Sequence, residues 1–323
     1  MPAVANASLP FVQTLADGIH VIDTGFHRPN FDAAYLLVED GRAAFIDTGT
    51  THSVPRLLSA LSSQGLAIDA VDWVIVTHVH LDHAGGAGAL MKALPNARLL
   101  VHPRGERHMV NPAALLAGAT AVYGADEVAR SYGEVPPIAA ERVVTSTDGQ
   151  TVYLGGRPLQ LLDTPGHARH HHCIWDERSR GFFTGDTFGL SYREFDTARG
   201  PWLLPTTTPV QFDPEALRNS VRRILSYVPE RLYLTHYGCV ENVPPLGEMM
   251  LTQIDELVAL AEPLRHANER HAQLRRGLTE IYLRRVREHG CTLTDAEAVH
   301  LLASDIELNA QGLAVWLDGG KPK

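Results

Sequence analysis

The chain is poor in cysteine: Cys173, Cys239 and Cys291 are the three it has, they lie far apart, and none forms a Cys-x-x-Cys pair. An odd, scattered set excludes a disulfide framework and makes the reducing cytoplasm the expected location. No apolar run approaches the about 18 residues of a membrane span. Residues 1–10 carry neither the cationic start nor the apolar stretch of a signal peptide. Neither membrane insertion nor export is therefore expected, and the first several residues are expected to form a disordered tail. An excess of positive charge is also missing. Lys and Arg number 28 against 37 Asp and Glu, a formal net charge of −9, which argues against a nucleic-acid partner. The remaining composition, 45% apolar and 20% charged, is that of a globular protein, and 323 residues suffice for a large core with an appended part.

Histidine is plentiful, at 17 residues, and several cluster in Thr77-His78-Val79-His80-Leu81-Asp82-His83-Ala84-Gly85-Gly86. The cluster follows an apolar strand and leads into glycines, a context for a turn presenting side chains at a strand end. Neutral imidazole and carboxylate suit zinc, manganese or iron. Four donors in so short a stretch exceed what one catalytic ion with an open position takes. In an extended turn alternate residues point opposite ways, so His78 and His80 serve one ion while Asp82 and His83 face another. Further donors end later apolar runs: His167 after Leu161-Leu162-Asp163-Thr164-Pro165-Gly166, Asp186 after Gly181-Phe182-Phe183-Thr184-Gly185, and His236 after Leu232-Tyr233-Leu234-Thr235. Ligands converging from several strand ends make a site on the rim of a sheet sandwich.

In order and context, His78, His80, Asp82, His83, His167, Asp186 and His236 resemble the ligand motifs of the metallo-β-lactamase-fold superfamily, and Phe45-Ile46-Asp47-Thr48-Gly49 resembles its first loop. The resemblance spans about residues 17–240 and implies an α/β protein with the αββα sandwich of that superfamily. It also implies two divalent metal ions, with zinc expected and manganese or iron compatible. His78, His80 and His167 would hold the first ion, Asp82, His83 and His236 the second, and Asp186 would bridge them. The set is similar to that of the glyoxalase II and N-acyl-homoserine lactone lactonase branches. The turn reads Gly185-Asp186, so the thiolate ligand of some β-lactamases is missing. The Gly-Cys-Gly-Arg segment and the cationic glutathione-binding group of glyoxalase II are missing too, which disfavours glutathione thioesters.

Two such ions lower the pKa of a shared water toward neutrality and polarise a carbonyl oxygen, with Asp82 orienting the nucleophile or carrying a proton. The expectation is a hydrolase of an ester, thioester or lactone in a small-molecule substrate. Three alternatives stand beside it. A persulfide-dioxygenase-like oxidoreductase resembles this motif but uses a single iron held by two His and one Asp. A nuclease of the same superfamily would need a basic groove, against the acidic balance. A non-catalytic metal-binding protein would have little use for both ligand sets. Tyr192 and Tyr237 are candidates for a hydroxyl that hydrogen-bonds the substrate carbonyl, packing being the other reading of each. Asp47 either supports a ligand imidazole or caps the helix beginning near Thr51. His171 reads as a ligand support, with His170 and His172 on the opposite face.

The pattern divides into a metal-binding domain over residues 1–243 and a C-terminal helical region over 244–323. Strands are predicted at 19–23, 34–38, 43–46, 73–76 and 98–101, and helices at 54–63 and 86–94. Residues 104–140 break the strand pattern as a helical insertion, a lid or a packing connection. Asp213-Pro214 is a cap with Pro in the first turn, opening a helix to about 227. Helices are predicted at 246–262 and 264–289, and Thr294-Asp295-Ala296-Glu297 has capping-box spacing. The Arg-rich face of this region is open to three readings: a solvated surface, a homodimer contact, or part of the pocket wall.

Overall fold

The computed structural model describes residues 9–207 and 210–319; the tail expected at the N-terminus falls mostly outside them. The first sheet runs in chain order through β1 (Val12–Thr14), β2 (Ile19–Asp23), β3 (Ala33–Glu39), β4 (Arg42–Ile46), β5 (Val71–Ile75), β6 (Arg98–Val101) and β7 (Val143–Thr145). Its first four strands are antiparallel neighbours, and β4 through β7 are parallel. The parallel strands need crossovers, which α1 (Val54–Ser63), α2 (Leu81–Ala84), α3 (Ala87–Ala93), α4 (Glu106–Val110), α5 (Ala113–Tyr123) and α6 (Ala125–Tyr132) supply. The second sheet comprises β8 (Thr151–Leu154), β9 (Arg157–Asp163), β10 (His172–Asp176), β11 (Gly181–Gly185), β12 (Arg231–Leu234) and β13 (Gly238–Glu241), with α7 (Pro214–Ser226) crossing from β11 to its parallel neighbour β12.

Strand alternation builds the layers. Val21, Tyr35, Ala44, Ile46, Leu159, Leu161, Phe183 and Tyr233 meet between the sheets. Their neighbours Ile22, Leu36 and Phe45 face α1 and α3 on one outer side, while Leu162, Phe182, Leu232 and Leu234 face helices on the other. This is the αββα sandwich. Four helices follow: α8 (Val243–Ala261), α9 (Arg270–Glu288), α10 (Asp295–Leu301) and α11 (Ala303–Leu317). Met250, Leu257, Leu278, Ile306 and Leu313 share one hydrophobic cluster with the outer face of the second sheet, so this helical region is packed as a continuation of the layer.

Capping follows the sequence where a side chain can reach a free N–H. The Asp213 carboxylate accepts from the Ala216 N–H at 3.0 Å, and Thr294 and Glu297 form the reciprocal box. The helix foreseen at 264–289 starts later, at Arg270, because a 3-10 turn over Glu262–Leu264, with Pro263 inside it, ends the preceding segment. Among the described residues, no helix is long and apolar enough to cross a membrane.

Candidate metal centre

The cluster after β5 departs from the extended turn foreseen for it. Thr77 and His78 lie in a bend after β5, and Leu81–Ala84 forms the short helix α2 with His80 as its extended N-cap. Asp82 and His83 are therefore brought to one side by the first helical turn, not by strand alternation, because Gly85 and Gly86 let the chain pack tightly against the Gly49–Thr50 backbone. His167 and His236 stand in the loops after β9 and β12, and Asp186 follows β11. At Gly185, φ is +48°, and a Cβ there would sit 2.6 Å from both His171 Nε2 and Thr77 Oγ1, so glycine alone lets the chain turn and present Asp186.

All seven sequence candidates meet. His78, His80 and His167 place one donor atom each within 4.8 Å of one another, as do Asp82, His83 and His236, and also His78, His83 and Asp186. The Asp186 carboxylate lies between the two sets: Oδ2 is 3.4 Å from His167 Nε2, and Oδ1 is 3.3 Å from His83 Nε2 and 3.7 Å from His236 Nε2. On the other side, Asp82 Oδ2 is 3.4 Å from His236 Nε2 and 3.6 Å from His83 Nε2.

The outward nitrogens are held by the scaffold, as metal-bound imidazoles require. His83 Nδ1 donates to Asp47 Oδ2 at 3.0 Å and His236 Nδ1 to the Phe31 carbonyl at 2.9 Å. His167 Nδ1 lies 2.6 Å from Thr206 Oγ1 and 3.4 Å from its carbonyl. Thr77 Oγ1 donates to Asp47, which leaves it to accept from His78 Nδ1 at 3.2 Å. These partners fix the tautomers, so the Nε2 atoms of His78 and His167 carry lone pairs, and both point at His80 Nδ1, at 2.9 and 3.1 Å. A cation at that point would be held by all three nitrogens at once. Beneath the cavity floor, His83 Nε2 and Asp186 Oδ1 are buried with no well-formed hydrogen bond, only their 3.3 Å approach to each other and longer contacts to Asp82 and His236, a state that a coordinated cation would satisfy. The residues fit divalent metal on both counts.

Asp47 resolves to ligand support: it also accepts from the Thr77 N–H at 2.8 Å and the Thr235 hydroxyl at 2.9 Å. The turn ahead of α1 is capped instead by Thr50 with Ser53. His171 Nε2 accepts from the Asp186 N–H at 3.2 Å, orienting that carboxylate. Its neighbours part company, because β10 begins only at His172 and strand alternation does not reach His170. His172 is buried, bonded to Ser146 and the Val76 carbonyl, whereas His170 lines the cavity above His80. Sequence reasoning missed Thr77 and Thr235. The signal was the repeated strand–Thr–His pattern at Thr77-His78 and Thr235-His236, whose threonines reach the same carboxylate.

Without metal, the two sets differ electrically. Burial and the neighbouring His167 push His80 down to about 3, and burial with His83 and His80 holds His78 well below its ordinary value. Those imidazoles are neutral and ready to coordinate. Burial also opposes charge on His83 and His236, but Asp186 and Asp82 outweigh it, raising His83 strongly and His236 to about 9. Burial alone would raise Asp186; His83, His167 and His236 outweigh it and hold Asp186 well below the carboxylate range. The carboxylate-rich side thus holds positive charge even when that charge can be only a proton.

Above the donors lies a cavity of about 760 Å³. His80, Asp82, Asp186 and His236 form its floor, α5 one wall through Leu115, Ala119 and Val122, and the start of α11 the opposite wall through Ala303, Asp305 and Leu308. The insertion and the C-terminal helices therefore both line the pocket. Tyr192 is at its wall but buried, its hydroxyl donating to Asp305 at 3.2 Å and its ring stacked on Phe31. Tyr237 packs in the core between the sheets and does not line the cavity.

A family model described as "Metallo-beta-lactamase superfamily" matches residues 27–236, and the chain belongs to that superfamily. It is 26% identical over 242 residues to the metallo-beta-lactamase fold-containing protein ST1585 of Sulfurisphaera tokodaii, covering 73% of this chain and 84% of that one. The crystal structure of ST1585 from Sulfolobus tokodaii superposes with a TM-score of 0.66 at 23% identity, covering 93% of this chain and 99% of the other. A hydroxyacylglutathione hydrolase of Stenotrophomonas maltophilia is 30% identical over 152 residues, 47% of this chain and 44% of its own length. An atrochrysone carboxyl ACP thioesterase of Aspergillus fumigatus is 25% identical over 210 residues, 65% and 51% of the two chains.

Proposed function

We propose that the protein is a dinuclear metal-dependent hydrolase, zinc being the expected metal, acting on an ester, thioester or lactone carbonyl of a small molecule. One observation carries this reading: the donors form two sets with the Asp186 carboxylate placing one oxygen toward each. A mononuclear-iron oxidoreductase would leave Asp82, His83 and His236 without a purpose. A nuclease would need cations at the pocket, and among the described residues no Lys or Arg lines it. The hydrolase and the thioesterase among the relatives act on carbonyl compounds by name, which supports the same reaction class.

Two bound divalent ions would supply Lewis acidity toward the carbonyl oxygen and an activated water. The chain's own residues do the rest. Asp47, Thr77, Phe31 and Thr206 lock the ligand imidazoles by their outer nitrogens, so the donors need no reorganisation during reaction. Asp82 is a donor open to the cavity, its side chain 25% exposed, placed to orient the attacking water and accept its proton. Tyr192 is committed to Asp305, so its part is to shape the wall.

The test is metal stripping with a chelator, followed by add-back of zinc, manganese or iron against ester, thioester and lactone substrates. Hydrolysis lost on stripping and restored by a divalent ion is expected. Unchanged hydrolysis in the stripped protein, or restoration only as an oxygen-consuming reaction with iron, contradicts the reading.

A further inference from the structure

His170 stands over the metal donors without belonging to them. It lies in the turn between β9 and β10, and its ring is stacked on His78 at 6.1 Å and edge-on to His80 at 5.5 Å. One hydrogen bond anchors it: the N–H of Val79, between those two ligand histidines, donates to His170 Nδ1 at 3.4 Å. A backbone N–H can only donate, so Nδ1 presents a lone pair there. Burial, then His80, His167 and His108, hold the ring well below the ordinary histidine value, so it is neutral. A neutral ring whose Nδ1 accepts keeps its proton on Nε2. Among the described residues that N–H has no acceptor, and His170, 7% exposed, lines the cavity beside His80. Its acceptor therefore comes from the cavity, as water or as the oxygen of a ligand that displaces it. Tyr192, the hydroxyl expected from the sequence to meet a carbonyl, is committed to Asp305; His170 has the uncommitted donor that Tyr192 lacks.

We propose that His170 is a catalytic hydrogen-bond donor: its Nε2–H binds the substrate's carbonyl oxygen on the His78, His80 and His167 side of the floor and holds it more strongly as negative charge gathers there. The proposal deepens the hydrolase reading and rests on it for the reacting bond. As water adds to the carbonyl carbon, the carbonyl π pair moves onto that oxygen. When the bond to the leaving group breaks, the pair returns, and the leaving group departs with the proton that Asp82 took from the water. His170 keeps its own proton throughout. A donor already in place and neutral needs no reorganisation as the charge develops.

Two substitutions separate this role from that of a loop anchor. The amide oxygen of Asn can take the place of Nδ1 and keep the bond to Val79, but its NH2 does not reach the Nε2 position. The terminal NH2 of Gln reaches that position and gives up the anchor. In the zinc-loaded protein, His170→Asn is expected to lower kcat about 100-fold with KM little changed, and His170→Gln to stay within about tenfold of the parent. Methylphosphonate, a tetrahedral anion, gives a readout without turnover. Its affinity for the zinc-loaded protein, by calorimetry, is expected to fall about tenfold or more in His170→Asn and less than about threefold in His170→Gln, with zinc per chain equal to the parent's in both. The reverse order, Gln impaired and Asn near the parent, would reduce His170 to an anchor, and equal values in all three proteins would mean that the donor meets no ligand. Either result overturns the proposal, as does loss of zinc from His170→Asn. If methylphosphonate follows the expected order while the zinc-loaded parent hydrolyses no ester, thioester or lactone, the hydrolase reading fails and His170 stands as a donor to bound oxygen.

Discussion

The floor and the walls of the cavity are built in opposite ways. Each floor donor sits in the loop following a strand or on the single turn of α2, and the outer nitrogens of His78, His83, His167 and His236 are tethered by Thr77, Asp47, Thr206 and the Phe31 carbonyl. The wall formed by α5 has no buried residue and is joined to its neighbours at Pro112 and at Gly124, where φ is +86°. The floor is polar, buried and over-determined, so it fixes the reaction. The α5 wall is apolar and buries no residue fully, its Leu115, Leu116 and Ala119 packing only partly buried against Phe26, Leu81, Val128 and Tyr132. The α11 wall stands between these extremes: Ile306, Ala310 and Leu313 are buried in the main cluster, while Asp305 and Leu308 face the cavity.

If that division is right, damage to the floor stops the chemistry and damage to the walls does not. His80→Ala removes the nitrogen at which two imidazole lone pairs converge; metal-dependent turnover is expected to fall on the order of a thousandfold or more, with the circular dichroism spectrum unchanged. Equal turnover in that variant would remove His80 from the ligand set. Gly312→Ala attacks the α11 wall from behind. A Cβ there would lie 1.4 Å from the Thr207 carbonyl oxygen, so the helix must shift, at an expected cost of about 3 kcal/mol in urea unfolding, while metal per folded chain is retained. Loss of metal along with stability would mean that floor and wall are not separable.

Asp47→Asn keeps the shape of a group that holds Thr77, His83 and Thr235 together but removes its charge. Metal affinity is expected to drop by about 10–100-fold, read by competition with a chromogenic chelator; unchanged affinity would reduce Asp47 to a packing residue. The smallest effect concerns Asp305→Asn. Burial raises the Asp305 carboxyl to about 7, against the lowering influence of His236, the Tyr192 hydroxyl and Arg28. A folded-state pKa above the unfolded value means the folded protein holds the extra proton, so this group's contribution to stability is greatest below the ordinary carboxylate pKa. It declines as pH rises through about 7. The variant is expected to lose less stability than the parent between pH 4 and 7, and parallel profiles would contradict it.

The floor was largely legible in the sequence because its information is local. His78 through His83 carry their spacing with them, and His167, Asp186 and His236 each end an apolar run. The error at α2, an extended turn expected where a helix forms, arose because a four-residue helix has no periodicity to read. The walls were not legible in the same way. Asp305, in the first turn of α11, has the pattern of a solvated helix residue, and only the packing of α11 brings it to the cavity wall and the Tyr192 hydroxyl. The Thr294–Glu297 cap and the Asp213 cap were readable since both ends of each hydrogen bond lie within one turn. The tether from Thr206 to His167 joins residues 39 positions apart, and no local pattern announces it.

Metal content tests the account most directly. Elemental analysis of protein purified without chelator, and again after dialysis against excess zinc, gives atoms per chain. The account calls for a value approaching two divalent ions per chain, falling to one or fewer in Asp186→Asn, whose two oxygens face the two sets. A parent protein that holds one ion at most after supplementation, or an Asp186→Asn variant that keeps both, would contradict the dinuclear centre.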